Sequence, residues 1–575
     1  QMRKNDFIHY SQFKETSIKH DSIFIKTSFS IKDLSDSSII NKNETFLQPT
    51  FDIIRKSFLS LKVGGLLFVY GTPKHLPFYA KYLNDFSDQR DKYLFKYWIA
   101  LEFSPMQVHQ PLPHSHIGLL MYLKTKKGKS SSPFKLNTKE YRIPHSNCAS
   151  CGKNIKDWGG RKHLMNPLGT SFSDVWSDLK LSEKDLHNPI EIINRVYKLT
   201  LTNGDNMLVI KEDKNPISTF KTNYRSRIDK IENKGFHYLD KVINEDCISF
   251  MQRLKIEYPD GIFDLAFADP PYNLEKTYSH YDDTKKEDEY IKWCDKWLRG
   301  MFEVLNPGGS LLVLNIPKWA VYHFISLSSK MHFRNWVVWD ALSTPSGKLL
   351  PAHYSLLHFT KPLKNGEVKY IFNERYIDKR DYCLRQNCIK SRKINGDDEK
   401  QILNDIWKDV HRIKHKKERD CHPCQLPIKL MNRIIDLYSY EGDLIFDPFG
   451  GAGTTAISAK LKNRFFTITD VDSRYNSISL SNLEKIKHSN NGELLFEREG
   501  VKRPKDHLIP QNVMEKKYLE ICIKRNRSID MTNLKSIDLE LYQSIINDYP
   551  KGFKFLRKIA NRQLENQSFI HQKDF

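Results

Sequence analysis

Residues 263–274 read Phe-Asp-Leu-Ala-Phe-Ala-Asp-Pro-Pro-Tyr-Asn-Leu, an apolar run ending in the carboxylate of Asp269, two prolines and a phenol ring. Open α/β sheets place their ligands at the carboxyl ends of strands. Pro270 and Pro271 donate no backbone hydrogen bond and stiffen the turn, so neighbouring carbonyls are left to accept from a substrate amino group. Tyr272 offers a face on which an extruded base can stack. Pro-Pro alone reads as an ordinary tight turn; Asp before it and Tyr after it favour a site. A second segment runs Asp443-Leu-Ile-Phe-Asp447-Pro-Phe449-Gly450-Gly451-Ala-Gly453-Thr-Thr455 into a helix-like stretch, Ala456 to Leu461. A strand, a glycine turn and a helix start let backbone amides approach a ligand. The next strand, Phe465 to Thr469, ends in Asp470, roughly 20 residues on, where such folds hold a ribose hydroxyl pair. No Lys-Ser/Thr follows the glycines, so a triphosphate loop is disfavoured and an adenosine-bearing ligand without one is favoured.

Elements that could carry these motifs recur along the chain. Lys62-Val-Gly-Gly-Leu-Leu-Phe-Val-Tyr-Gly-Thr-Pro73-Lys74, followed by His116 to Lys124, has the order and spacing of Asn306-Pro-Gly-Gly-Ser-Leu-Leu-Val-Leu-Asn-Ile-Pro317-Lys318 followed by His353 to Lys361. Ser173 to Asp178 answers Asn404 to Asp409, Pro189 with Asn194-Arg195 answers Pro427 with Asn432-Arg433, and Gly204-Asp205 answers Gly442-Asp443. Each copy alternates strand and helix: Gly-Gly turns lead into apolar runs (Leu66 to Tyr70, Ser310 to Asn315), and Tyr290 to Leu305 has helical spacing of Trp293, Trp297, Met301 and Leu305. The class is α/β. Only the second copy keeps the chemistry. The first has Ile25 to Ser30 where Asp-Pro-Pro-Tyr should fall, and no glycine loop between Asn206 and Pro216.

At 575 residues the chain holds several folding units. Apolar residues at 39% can build cores, and no run approaches the roughly 20 apolar residues of a membrane span. Gln1 to Asp6 leads into no apolar signal core, so a cytosolic or nuclear protein is expected. Lys and Arg number 91 against 69 Asp and Glu, a net +22. That excess fits a polyanionic partner, although an AT-rich genome also inflates Lys. Nine cysteines, odd in number and unevenly spaced, argue for thiols or a metal over a disulfide framework. His145-Ser-Asn-Cys148-Ala-Ser-Cys151-Gly152, with His163 beyond it, could close a tetrahedral zinc site, a reduced solvent-facing turn being the alternative. Cys383, Cys388, Cys421 and Cys424 form a second, irregular cluster.

The Asp-Pro-Pro-Tyr and Phe-Gly-Gly-Ala-Gly motifs resemble those of the amino-directed, S-adenosylmethionine-dependent DNA methyltransferases, and their order resembles the family's β-class permutation. Asn244 to Ile248 and His422-Pro-Cys424-Gln-Leu426-Pro427 also resemble family segments, the latter with Cys424 and Leu426 where a hydroxyl residue and a lysine are common. The resemblance implies tandem Rossmann-like class I methyltransferase domains, the first degenerate, with a helical C-terminal region: a lobe at 1–210, a linker at 211–236, a catalytic domain at 237–488 and a basic region at 489–575. The target-recognition insertion would be 362–420, where Arg375, Lys379, Arg380, Arg385, Lys390, Arg392 and Lys393 interleave with Tyr370, Tyr376 and Tyr382.

By the same resemblance Asp269 and the Pro270 carbonyl would accept from an exocyclic amine, with Pro271 and Tyr272 completing the catalytic turn. Asp246, Cys247, His422, Asp447, Phe449, Gly450, Gly451, Gly453 and Asp470 would hold S-adenosylmethionine. Asp at the head of the first motif favours adenine N6 over cytosine N4. The implied setting is a bacterial cytoplasm, nucleoid-associated, with double-stranded DNA as substrate, a cognate restriction endonuclease as partner, and an internal pseudo-dimer acting as monomer or low-order oligomer. The alternatives are a cytosine-N4 or RNA methyltransferase and a DNA-binding subunit without turnover.

Overall fold

A computed structural model describes chiefly residues 19–29, 47–88, 90–104, 112–128, 142–155, 169–200, 205–211, 236–274, 283–341, 351–367, 370–378, 385–396, 400–413, 425–488, 494–496, 511–525 and 528–538, with short pieces and isolated positions besides. The first lobe is built on β1 (Ile8–His9), β2 (His20–Lys26), β3 (Leu61–Gly71), β4 (Asp91–Phe103), β5 (His116–Lys126), β6 (Val175–Leu181) and β7 (Met207–Lys211). They form a seven-stranded sheet in the order β1-β7-β2-β3-β5-β4-β6. The second lobe uses β8 (Lys241–Ile243), β9 (Phe263–Ala268), β10 (Leu305–Asn315), β11 (His332–Asp340), β12 (His353–Thr360), β13 (Tyr376–Asp378), β14 (Lys400–Ile402), β15 (Ile406–Trp407), β16 (Leu444–Asp447) and β17 (Phe465–Thr469). Its main sheet has eight strands, β8-β17-β16-β9-β10-β12-β11-β15, and β13 with β14 makes a separate ribbon.

The two sheets share one plan. Strands β2 to β7 have the neighbours and directions of β9, β10, β11, β12, β15 and β16. Even the irregularities coincide: the β4–β5 ladder shifts between Phe95 and Tyr97, and the β11–β12 ladder between Phe333 and Asn335. Central strands read as unbroken apolar runs because helices cover both faces. The helix Glu287–Val304 shows the expected spacing, with Tyr290, Cys294, Trp297, Leu298, Met301 and Val304 buried and three acidic residues in its first turn.

One compact unit takes in both sheets, and the C-terminal helices form another. Equivalent residues meet across the join. Trp98 of β4 stacks on Trp336 of β11, ring centroids 4.0 Å apart. Asp174 accepts from the backbone amides of Ala352 and His353, at 2.9 and 3.0 Å. Its counterpart Asp405 accepts from the amide of Ser115 at 2.8 Å and meets the rings of His114 and His116 at 3.2 and 3.1 Å. Reciprocal contacts of this kind are what a two-fold axis imposes. In the second unit, the helices Gln511–Lys524 and Met531–Ile537 gather a small core that includes Tyr518, Cys522, Ile529 and Leu534. Among the described residues no helix is long and apolar enough to cross a membrane.

Candidate active site

Four adjacent parallel strands, β8, β17, β16 and β9, bring four separated aspartates to one sheet edge. Ile243 of β8 pairs with Thr469 of β17, Asp447 of β16 with Ile468 of β17, and Ile445 of β16 with Leu265 of β9. Asp269 follows β9, Asp447 ends β16, Asp470 follows β17, and Asp246 lies three residues beyond β8. Their fields overlap: Asp447 raises the pKa of Asp269, and Asp470 that of Asp447.

The Asp-Pro-Pro-Tyr turn is held from several sides. Tyr272 Oη donates to Asp269 Oδ1 at 2.6 Å, so ring and carboxylate form one unit. Tyr290 Oη donates to the Pro271 carbonyl at 2.6 Å and Trp319 Nε1 to the Tyr272 carbonyl at 2.7 Å. The next residue, Asn273, has φ +54°, and the buried Asp283 accepts from the amides of Asn273 and Leu274 at 2.8 and 3.0 Å. A carboxylate holding two amides stabilises this left-handed turn. The Tyr354 ring stands 6.0 Å from that of Tyr272. Burial pushes the Asp269 carboxyl up to about 7; the Tyr272 hydroxyl opposes the rise and Asp447 adds to it.

Around the glycine loop, Asp447 accepts from the Phe449 amide at 2.9 Å and from the Thr455 hydroxyl, so its carboxylate holds the loop. Burial also brings it up to about 7, opposed by those two bonds. Asp470 accepts from the Gly451 amide at 3.0 Å and the Asp472 amide at 2.9 Å. Ser479 Oγ and Asn482 Nδ2 donate to the Gly451 and Ala452 carbonyls at 2.7 and 3.1 Å. The glycines are needed for packing as well as for access. A Cβ on Gly450 would lie 2.9 Å from Ile468 Cδ1, and Gly453, at φ +82°, faces Ser479 at 2.9 Å. Phe449 packs between Trp293 and Trp297, centroids 5.7 and 5.3 Å away. Asp246 caps the helix Cys247–Glu257 through the amides of Ile248 and Ser249, and burial pushes the Cys247 thiol far up. Thus Asp246, Cys247, Asp447, Phe449, Gly450, Gly451, Gly453 and Asp470 share one edge with Asp269. His422 lies outside the described residues.

Sequence reasoning missed Asp283, Tyr290, Trp319 and Tyr354 as supports. Tyr290 was legible only as part of an apolar helix face, and Pro317-Lys318 beside Trp319 only as a repeat marker. The basic residues of the expected insertion divide between interior and surface. Arg392 is buried, Arg375 pairs with Asp436 at 3.0 Å, and Arg385 donates to the Asn154 carbonyl at 2.9 Å, because these guanidinia satisfy internal acceptors. Tyr370 lies under Arg334, whose guanidinium is 4.1 Å from its centroid. Lys390, Lys393 and Tyr376 remain exposed; Lys379, Arg380 and Tyr382 lie outside the described residues.

Two of the four expected metal ligands, Cys148 and Cys151, fall in a group of potential ligands. His145 is not part of that group among the described residues, its Nε2 meeting the Asn166 carbonyl at 2.8 Å, and His163 lies outside the described residues. Cys148 and Cys151 instead face Cys383 and Cys388 of the other lobe.

In the first lobe, Ser22 pairs with Leu66 as Leu265 pairs with Ser310. Counting onward puts Lys26 at the place of Asp269 and Phe29 at that of Tyr272. Lys26 Nζ lies 5.0 Å over the Phe29 ring, which packs on Tyr70 and His187. A cation stands where an acceptor is needed, and apolar packing takes the place of a base-stacking face.

Part of the chain is similar to known proteins. Residues 263–481 match the DNA methylase family. The chain is 33% identical over 277 residues to the type II methyltransferase M.BamHI of Bacillus amyloliquefaciens, covering 46% of this chain and 61% of that protein. It is 28% identical over 264 residues to the DNA adenine methyltransferase YhdJ of Escherichia coli strain K12, covering 44% of this chain and 85% of that one. Among solved structures, the M1.HpyAVI–SAM complex aligns at 16% identity and a TM-score of 0.31, over 42% of this chain and 97% of that one.

Proposed function

We propose that this chain, whose residues 263–481 match the DNA methylase family, transfers a methyl group from S-adenosylmethionine to the exocyclic N6 of adenine in double-stranded DNA at a specific site. The observation that carries the reading is the shared edge: the Asp-Pro-Pro-Tyr turn and the glycine loop, far apart in sequence, end adjacent strands whose carboxylates feel each other. The residues fit the cofactor. Asp246 and Asp470 offer acceptors for hydroxyl and amino groups, the Gly450–Gly453 loop offers backbone, and Phe449, braced by Trp293 and Trp297, offers an apolar wall. When bound, S-adenosylmethionine supplies an electrophilic methyl group.

The chain's own contribution is placement. Tyr272 stacks on the extruded base, Asp269 accepts one hydrogen of its amino group and the Pro270 carbonyl accepts the other, which turns the nitrogen lone pair toward the methyl donor. An Asp269 carboxyl that titrates near 7 is suited to hold the proton the amine sheds. Exposed Lys390, Lys393 and Tyr376 on the insertion provide phosphate and groove contacts. The first lobe serves as a degenerate copy that grips DNA, and a restriction system with a partner endonuclease is the proposed setting.

Tritiated methyl incorporation into DNA, followed by nucleoside analysis, tests the proposal. N6-methyladenine from the native chain, and none from Asp269→Ala that still binds cofactor, is the expected result. N4-methylcytosine would reassign the target base, and label in RNA alone would reassign the substrate.

A further inference from the structure

Four cysteines from two lobes converge at one point. Cys148 and Cys151 sit on a tight turn of the first lobe, where Gly152 adopts φ +65° and donates to the Cys148 carbonyl at 2.8 Å. Around it, the Cys148 amide bonds the Lys153 carbonyl at 2.7 Å and the Ile155 amide the Ser146 carbonyl at 2.8 Å, closing a small knuckle. Cys383 and Cys388 come from the insertion of the second lobe, Cys388 on the helix Gln386–Asn395.

The sulfurs are spaced as ligands. The Cys148–Cys388 and Cys151–Cys383 separations are each 3.7 Å, and all four atoms lie within 4.8 Å of one another. Zinc–sulfur bonds of about 2.3 Å place thiolates on a tetrahedron with edges of about 3.8 Å. The cysteines are free, and a disulfide would need sulfurs at about 2.05 Å. Donors surround the cluster as a negatively charged tetrathiolate requires. The Cys383 amide points at Cys148 Sγ at 3.3 Å, and the buried Arg392 donates to Cys388 Sγ at 3.2 Å and to the Cys383 carbonyl at 3.1 Å.

The helix Gln386–Asn395 supplies a separate argument. Of its ten residues only Cys388 and Arg392 are buried. A short helix with so little apolar burial is marginal on its own, so something other than a hydrophobic face must fix it, and the sulfur cluster is what its buried side holds.

We propose that Cys148, Cys151, Cys383 and Cys388 bind one structural zinc ion that fastens the insertion of the second lobe to the knuckle of the first. Through it the first lobe sets the position of the surface bearing Tyr376, Lys390 and Lys393. This consequence rests on the methyltransferase reading, whereas the ion itself does not.

The full chain, purified without chelator, should carry one zinc per molecule by elemental analysis. Cobalt exchanged into the site should give the visible absorption of a tetrahedral four-thiolate centre. Cys383→Ala with Cys388→Ala should abolish the bound metal and expose the insertion to limited proteolysis while S-adenosylmethionine binding persists. His145→Ala with His163→Ala should keep the metal. Should the double alanine variant fail to fold, Cys388→His, which preserves a ligand, should fold and retain zinc with an altered cobalt spectrum. A native chain without zinc, or zinc retained after loss of Cys383 and Cys388, would overturn the proposal. Failure of the native chain to bind S-adenosylmethionine would count against the methyltransferase reading and leave the metal count to decide this one.

Discussion

Asp269 is placed where a carboxyl resists ionisation: burial pushes it from an ordinary 3.8 up to about 7, with Asp447 adding to the rise. Because the folded value is the raised one, the proton contributes stability below about pH 4 that is lost as pH climbs to about 7, above which the chain holds a half-buried anion. The proposed methyl transfer needs that anion as acceptor. The single-turnover methylation rate should therefore rise with pH through about 7, and Asp269→Ala should lower it at least about 100-fold. Neighbours should move the midpoint in opposite senses. Tyr272→Phe keeps the ring but removes the donor that favours the charged form, so its midpoint should rise. Asp447→Asn removes a neighbouring anion, so its midpoint should fall. A profile flat in the native chain and in both neighbour variants would separate Asp269 from the proton. The turn itself was legible because its chemistry is contiguous in sequence. Asp283, which anchors it through Asn273 and Leu274, was not, because nothing local distinguishes that carboxylate from its many exposed counterparts.

The glycine loop illustrates what an element adds to its motif. Read as sequence, Gly450 to Gly453 let a ligand approach the backbone; in the fold they also let the loop lie against β17 and the helix Ser473–Glu484. Gly450→Ala sets a methyl 2.9 Å from Ile468 Cδ1 and 3.0 Å from its Cβ. The loop must shift, and cofactor affinity should weaken by about tenfold or more, near 1.4 kcal/mol. Trimming the neighbour removes the Cδ1 and Cγ1 contacts though not that of Cβ, so Gly450→Ala with Ile468→Ala should bind better than Gly450→Ala alone by calorimetry, a coupling that separate defects would not show. The strands were legible too, since period and Gly-Gly turns are local signals, and the repeat markers carried the strand equivalence from one lobe to the other. What sequence could not supply was partnership at long range. The metal-like turn at Cys148 and Cys151 finds its complement more than 230 residues away, at Cys383 and Cys388, so nearby His145 and His163 stood in for it. Basic residues of the insertion likewise looked alike as letters, yet Arg392 is interior and Lys390 is not.

At the scale of the whole molecule, a two-fold plan is joined to one-fold chemistry. Trp98 meets Trp336, and Asp174 and Asp405 each reach into the other lobe, as in a dimer of identical subunits. The plan stops at the strand ends. Where the second lobe has Asp269 and Tyr272, the first has Lys26 and Phe29, and Phe29 is occupied with Tyr70 and His187. A cationic ammonium cannot accept a hydrogen bond from an amino group, so restoring a glycine loop alone would not revive that lobe. Two equivalent centres could serve both strands of a palindrome, whereas the proposed single centre beside a passive lobe would meet DNA asymmetrically. The chain should bind one S-adenosylmethionine per molecule by calorimetry. Methylation-aware sequencing of DNA from cells expressing it should return a motif that differs from its own reverse complement, modified on one strand at each binding event. Lys26→Asp should leave that stoichiometry at one. Two cofactors per monomer, or a palindromic motif modified equally on both strands by a monomeric chain, would require the first lobe to do what Lys26 and Phe29 prevent.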